Sequence, residues 1–244
     1  MMGGIFGFTL LNNNKMGKDS IITLTTELLK SQLGPTEEIN IAITTSENIH
    51  VIKTNMSIPR FIATKEFKEF MHNALKDITI YSLIGSFKDK VTYKEFLDLN
   101  DEPMVTFGEV VCVQKEKEFT DVDSGGVVVA EIFDRYEFAI DLTTRIKTAA
   151  KDVKLYAAVH AAYPSCLLIA KHTADPLELC MFAQYGVFIF SSISKSVDKV
   201  TQLLLLGKRE TVEMFSYQAF LLNMSTNTYK VINSYSGNVN YAIK

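Results

Sequence analysis

Groups able to do chemistry are few and scattered in this chain of 244 residues. The four histidines, His50, His72, His160 and His172, do not pair with a Cys or Asp at a spacing that suggests a triad or a metal site. They read as ordinary surface or core histidines. Cys112, Cys166 and Cys180 each lie in an apolar run, without CxxC or CxxH spacing, so zinc is not expected. They read as buried thiols. Asp121 and Asp123 are close enough for a metal or sugar role, with a solvated turn as the plainer reading. The run Lys115-Glu116-Lys117-Glu118 suits a solvated connection or a remodelled lid. Gly125-Gly126 ahead of a helical stretch could seat an anion, but no Walker or dinucleotide pattern accompanies it.

The elements that must position these groups follow from periodicity. Ile5 to Leu11 suits a buried strand, and the polar stretch Asn12 to Asp19 a loop. Ser20 to Leu33 carries Ile21, Leu24, Leu28 and Leu29 at helical spacing, with Gly34-Pro35 as its stop. Asn40 to Thr45 and Asn48 to Lys53 form a hairpin signal, and Thr64 to Leu75 a helix with Phe67, Phe70, Met71 and Ala74 on one face. Ile78 to Ile84 has the β-branched character of an inner strand. Thr92 to Leu99 is expected as a short helix, Gly108 to Val113 as a strand, and 126–136 and 140–151 as helices. Strand signal then dominates, at Leu155 to Ala161, Ser165 to Ala170, Leu177 to Ala183 and Val187 to Phe190. A helix from Val197 to Leu204 precedes strands at Glu213 to Ser216 and Tyr217 to Met224, and Asn238 to Ile243 is apolar enough to tuck in. No composition shift or repeat divides the chain, so one domain over 1–244 is expected. Helical pairs alternating with strand clusters imply an α+β fold of two packed sheets with helices outside.

Hydrophobic residues make up 47% of the chain, enough for a large core, and the net charge of −3 gives no case for nucleic acid as a partner. The apolar stretch near the start is only a few residues long and follows no basic segment, so neither a signal peptide nor a membrane helix is indicated. An odd cysteine count without a secretory signal fits a reducing, cytoplasmic setting, in a host cell or a virion.

Three ordered stretches resemble the glutaminase domain of the class II glutamine amidotransferases, as in glucosamine–fructose-phosphate aminotransferase. Met2-Gly3-Gly4-Ile5-Phe6-Gly7 is similar to the family's M-C-G-I-F-G opening. Phe119-Thr120-Asp121-Val122-Asp123-Ser124-Gly125, running into Val127 to Ile132, resembles its F-x-S-E-T-D-T-E segment and following helix. Leu167 to Lys171, Asp175-Pro176-Leu177 and Val187 to Ser192 look like its returning strands. The resemblance covers nearly the whole chain. It implies a four-layer αββα N-terminal nucleophile hydrolase fold, two antiparallel sheets between helical layers. It also implies a chemistry: an N-terminal cysteine, freed by Met removal, attacks the glutamine amide with its own α-amine as base. An Asn and a Gly amide hold the oxyanion, and an Arg and an Asp hold the substrate's carboxylate and amine.

At the matching positions this sequence departs from the family. The nucleophile position is Gly3, preceded by Met1 and a Met2 too bulky for ordinary Met removal. The nearest hydroxyl is Thr9, inside the expected first strand. The family's G-H-T-R falls on Gly85-Ser86-Phe87-Lys88, and Lys88 lacks the bidentate fork of Arg. N-A-H-P-H falls on Asn100 to Met104 with both histidines gone, and the oxyanion H-N-G on Gln114-Lys115-Glu116, where a carboxylate would oppose an oxyanion. Asp123 alone matches its counterpart, and a helix N-terminal charge explains it equally.

Nucleophile, base, oxyanion hole and clamp therefore depart together, with Gly3, Lys88, Lys115, Glu116 and Asp123 as vestigial positions and no catalytic residue. The expected function is a catalytically inactive scaffold that binds a protein partner, without cofactor or metal. The Ile-, Lys-, Asn- and Thr-rich composition suggests a viral source, a bacteriophage for instance, where enzyme folds are redeployed in virions or against host factors. The alternative is a ligand-binding or enzymatic protein that uses a remodelled cleft through Lys88, Lys115, Glu116 and Asp123.

Overall fold

The computed structural model describes residues 4–32, 39–76, 79–87, 92–97, 103–110, 153–160, 164–171, 176–193, 195–216, 218–233 and 239–242. The chain opens with β1 (Gly4–Leu10) and α1 (Lys18–Ser31), in which Ile21, Leu24 and Leu28 fall on the buried face that their spacing dictates. The hairpin β2 (Ile39–Thr45) and β3 (Ile49–Thr54) follows, then α2 (Ile58–Ala63) and α3 (Lys65–Ala74). Thr64 separates these two helices, and its Oγ1 accepts from the Phe67 N–H at 3.1 Å, which caps α3. Next come β4 (Ile80–Phe87), β5 (Thr92–Leu97) and β6 (Pro103–Val110). The remaining elements are β7 (Val153–His160), β8 (Cys166–Lys171), β9 (Glu178–Phe182), β10 (Val187–Ser191), α4 (Ser196–Leu204) and β11 (Glu210–Thr211). Three strands end the chain, β12 (Gln218–Asn223), β13 (Thr228–Asn233) and β14 (Val239–Ala242).

The strands form two sheets of seven, ordered β11-β9-β10-β1-β4-β2-β3 and β14-β13-β12-β8-β7-β6-β5. Every pairing is antiparallel. Alternation along each strand sends side chains to two separate cores. On one face of the first sheet, Phe6, Phe8, Ile41 and Ile189 pack under the helices with Leu24, Leu28, Phe61 and Val200. On its other face Ile5, Ala42, Ile84, Phe188 and Phe190 meet Ile169, Phe220 and Leu222 of the second sheet. Phe188 stacks on Phe220 across that gap with ring centroids 5.5 Å apart. β1 also packs across it against β6 and β7.

This is the α+β architecture of two stacked antiparallel sheets with helices outside. The helices expected over 126–136 and 140–151 lie outside the described residues.

Two expectations are corrected. Thr92 to Leu99 is not a helix, because 92–97 pair in register with β6 from Thr92–Gly108 to Leu97–Pro103. So short a segment gains little as an isolated helix, whereas a neighbouring strand satisfies its backbone at once. Glu213 to Ser216 is loop, and the edge of the first sheet is instead the two-residue β11, paired with Met181 and Cys180. Three elements go beyond the periodicity. They are α2, started by Pro59 in its first turn, β13, and the first half of β6 from Pro103.

Candidate functional site

The start of β1 is where the resemblance puts chemistry, and the register shows what surrounds it. The Ile5 N–H donates to Ser192 Oγ at 3.0 Å, and the Ser192 N–H donates to the Ile5 carbonyl at 2.9 Å. Ile5 stands opposite Ser86 on β4, and Ser86 opposite Asn40 on β2. Ile5, Ile84 and Ala42 face the second sheet, so two-residue alternation turns Ser86 and Asn40 the same way. Both are buried, and Ser86 Oγ has no hydrogen-bond partner among the described residues.

On the second sheet Lys171 is the buried charged residue among the described residues. It is the last residue of β8, opposite Gln218 on β12 and Leu155 on β7. Leu167 and Ile169 face the inter-sheet core, so Lys171 shares their face. Its exposure is only 9%. The two sheets are aligned end to end by the Asn12 N–H, which donates to Asn227 Oδ1 at 2.9 Å. That bond ties the far end of β1 to the β12–β13 turn, while β1 packs across the gap against β6 and β7.

None of the vestigial positions is among the described residues: Gly3, Lys88, Lys115, Glu116 and Asp123 all lie outside them, as do Asp121, Gly125, Gly126, Cys112 and His172. Gly3 and Lys88 adjoin in sequence Gly4 and Phe87, which are register partners. Thr9 is fully buried between Phe188 and Ser82, and its hydroxyl donates to the Tyr81 carbonyl at 3.4 Å. It is no exposed nucleophile. His50 lies on β3, His72 on α3 and His160 on β7, so these three are on separate elements. Among the described residues no group of three or more His, Cys, Asp or Glu is placed to hold a metal ion.

Cys166 and Cys180 are buried and free. Burial pushes each thiol up to about 11, helped at Cys180 by the nearby Glu178 carboxylate. Both are therefore poor nucleophiles at neutral pH. Near Cys180 the Arg209 guanidinium bonds Glu178 Oε1 at 3.1 Å and also Asp198, joining β9 to α4. This is a structural clasp.

A concavity of about 520 Å³ lies at the far end of β1, lined in part by Leu10, Leu11, Lys18, Tyr81 and Met224. α1 begins there at Gly17 without a side-chain cap. Among the described residues no helix is long and apolar enough to cross a membrane.

Periodicity does not single out Ser86, Asn40 and Ser192 beside the start of β1, nor the buried Lys171 at the end of β8. Lys171 had a partial signal, since it ends the apolar run Leu167 to Ala170 at the parity of Leu167 and Ile169. Ser86, Asn40 and Ser192 had none, because their convergence depends on strand order.

The fold is similar to that of two solved amidotransferase-related structures. A solved structure of the allosteric regulatory enzyme of purine biosynthesis matches 98% of this chain and 48% of its own, with TM-score 0.50 and 12% identity. Glutamine phosphoribosylpyrophosphate amidotransferase from B. subtilis, complexed with ADP and GMP, matches 98% and 49%, with TM-score 0.50 and 14% identity. The chain spans about half the length of these proteins. At such identity the likeness is one of fold alone. No protein-family model and no curated protein matches the sequence.

Proposed function

We propose that this chain is a glutamine amidotransferase-like domain without glutaminase chemistry, serving as a scaffold that binds a protein partner. The observation that carries this is at β1. Residues 1–8 hold no Cys, Ser or Thr, and the first hydroxyl, Thr9, is buried within a strand paired on both sides. An N-terminal nucleophile needs a thiol or hydroxyl beside its own free amine, and this stretch supplies neither. Order and spacing of the three matching stretches favour the glutaminase half of glucosamine–fructose-phosphate aminotransferase as the particular relative. The composition favours a viral chain, such as a phage structural or host-interaction protein. Incubation of the purified protein with glutamine is expected to release ammonia at the buffer rate; release above that rate sinks the reading.

A second reading, a cleft that binds a small ligand without covalent chemistry, is supported by one observation. Ser86 and Asn40, both polar and buried, stand on β4 and β2 beside the start of β1, where an emptied scaffold would be expected to fill with apolar side chains.

A further inference from the structure

We propose that the concavity at the far end of β1 binds a monoanionic amphiphile, an acyl carboxylate, whose head is held by Tyr81 and Lys18. The site is separate from both readings above, which concern the start of β1.

The space suits a small molecule, since about 520 Å³ falls within the usual range for ligand pockets. Its lining is graded from apolar to polar. Leu75 after α3, Ile80 on β4 and Met224 after β12 are buried, whereas Asn12, Lys18 and Ser225 are exposed. An apolar floor under a polar mouth fits a ligand with an apolar chain and a polar head.

A β-bulge shapes this end of the sheet. The register between β2 and β4 runs Thr44–Ser82 and then Thr45–Ile80, so Tyr81 has no partner on β2. A bulge re-aims a side chain out of the alternation of its strand. Ile80 accordingly packs under the helices, while Tyr81 borders the core between the sheets and lines the concavity. Thr9 Oγ1 holds the bulge by donating to the Tyr81 carbonyl at 3.4 Å. The facing loop is held as well. The Leu11 N–H donates to the Gly186 carbonyl at 2.8 Å, and the Lys15 N–H to the Tyr185 carbonyl at 3.0 Å. Walls fixed in advance spare a ligand the cost of ordering them.

The free donors set the charge of the ligand. Lys18 is the one charged residue among the described residues that line the concavity. Neither its ammonium nor the Tyr81 hydroxyl has a hydrogen-bond or ion-pair partner among the described residues. The asparagines are already engaged. Asn12 Nδ2 donates to the Ser225 carbonyl at 3.5 Å, and Asn14 Oδ1 accepts the Met16 N–H at 3.2 Å. One cation and one hydroxyl donor suit a single negative charge better than a phosphate dianion, which calls for more positive charge. Binding requires no covalent step.

Octanoate serves as the probe, below its micelle-forming range. Neutral octanamide, acetate and inorganic phosphate are the controls, at constant ionic strength. Thermal unfolding and calorimetric titration compare the full chain with Tyr81→Phe and Lys18→Gln. Octanoate is expected to raise the unfolding temperature of the unaltered chain, as a ligand of the folded state does. Acetate, which lacks the apolar chain, should leave it unchanged, and octanamide should bind about tenfold more weakly than octanoate. Tyr81→Phe, which removes only the hydroxyl, should weaken octanoate about tenfold. Lys18→Gln, at the exposed mouth, should weaken it about threefold. Equal octanoate affinity in all three chains overturns the placing of the head at Tyr81 and Lys18. Octanamide binding as tightly as octanoate overturns the charge of the ligand. A shift with phosphate and none with octanoate overturns the ligand class, and no shift with any probe removes the site. Should Tyr81→Phe fail to fold, Ser225→Trp at the exposed mouth decides the matter. It is expected to abolish octanoate binding by blocking entry, and undiminished binding contradicts the proposal.

Discussion

At Gly7 a Cβ would sit 2.2 Å from the Leu83 carbonyl oxygen and 2.6 Å from the Phe190 ring. The carbonyl belongs to a paired strand and cannot move cheaply. Gly7→Ala is therefore expected to cost about 1–3 kcal/mol in urea unfolding, within the usual range for overpacking. The two described thiols lie on different sheets, Cys166 on β8 and Cys180 on β9. With folded values raised to about 11 from the ordinary 9.0, Cys166 and Cys180 stay protonated in the fold at pH values where the unfolded chain ionises them. Their contribution is full below pH 9 and falls away between about 9 and 11, so the urea midpoint should drop across that window. A Cys166→Ala, Cys180→Ala double variant should show a shallower drop, and an equal slope would contradict the assignment. Thiol burial was legible from the apolar runs around each cysteine. The meeting of Ser86 and Ser192 at Ile5 was not, because it depends on strand order.

Elements with a buried period were the easiest to foresee. β2, β8 and β10 are buried along their whole length, and α1 shows its apolar stripe at the expected spacing. β5 was mistaken for a helix because six residues carry too little pattern to choose a period, and pairing with β6 then decided the matter. Amides of 92–97 that face β6 should therefore exchange more slowly than those of Glu213 and Met214 in the loop, as hydrogen-exchange mass spectrometry can show. The helical face of the first sheet depends on a sharp turn between α2 and α3. Phe61 and Phe67 meet edge to face there, with centroids 5.1 Å apart, and Thr64 caps the second helix. Thr64→Ala should cost about 1 kcal/mol by urea unfolding, in line with other N-cap losses. A change near zero would mean that the packed phenylalanines alone set the turn.

For the whole molecule, an α+β sandwich follows from local patterns plus one rule, that each apolar face must be covered. Strand order does not follow from them. β1 takes the centre of its sheet between β10 and β4, so its first residues meet segments more than eighty positions away. We propose that this chain keeps the scaffold without the activity. A scaffold keeps its two cores whether or not position 3 bears a thiol, because Gly3 contributes no side chain to either. The most direct test of the missing nucleophile is intact-mass spectrometry after incubation with an electrophilic ketone analogue of glutamine, which alkylates an N-terminal thiol or hydroxyl. The expected result is an unmodified mass. An adduct of one equivalent on a trimmed N-terminal residue would contradict the account.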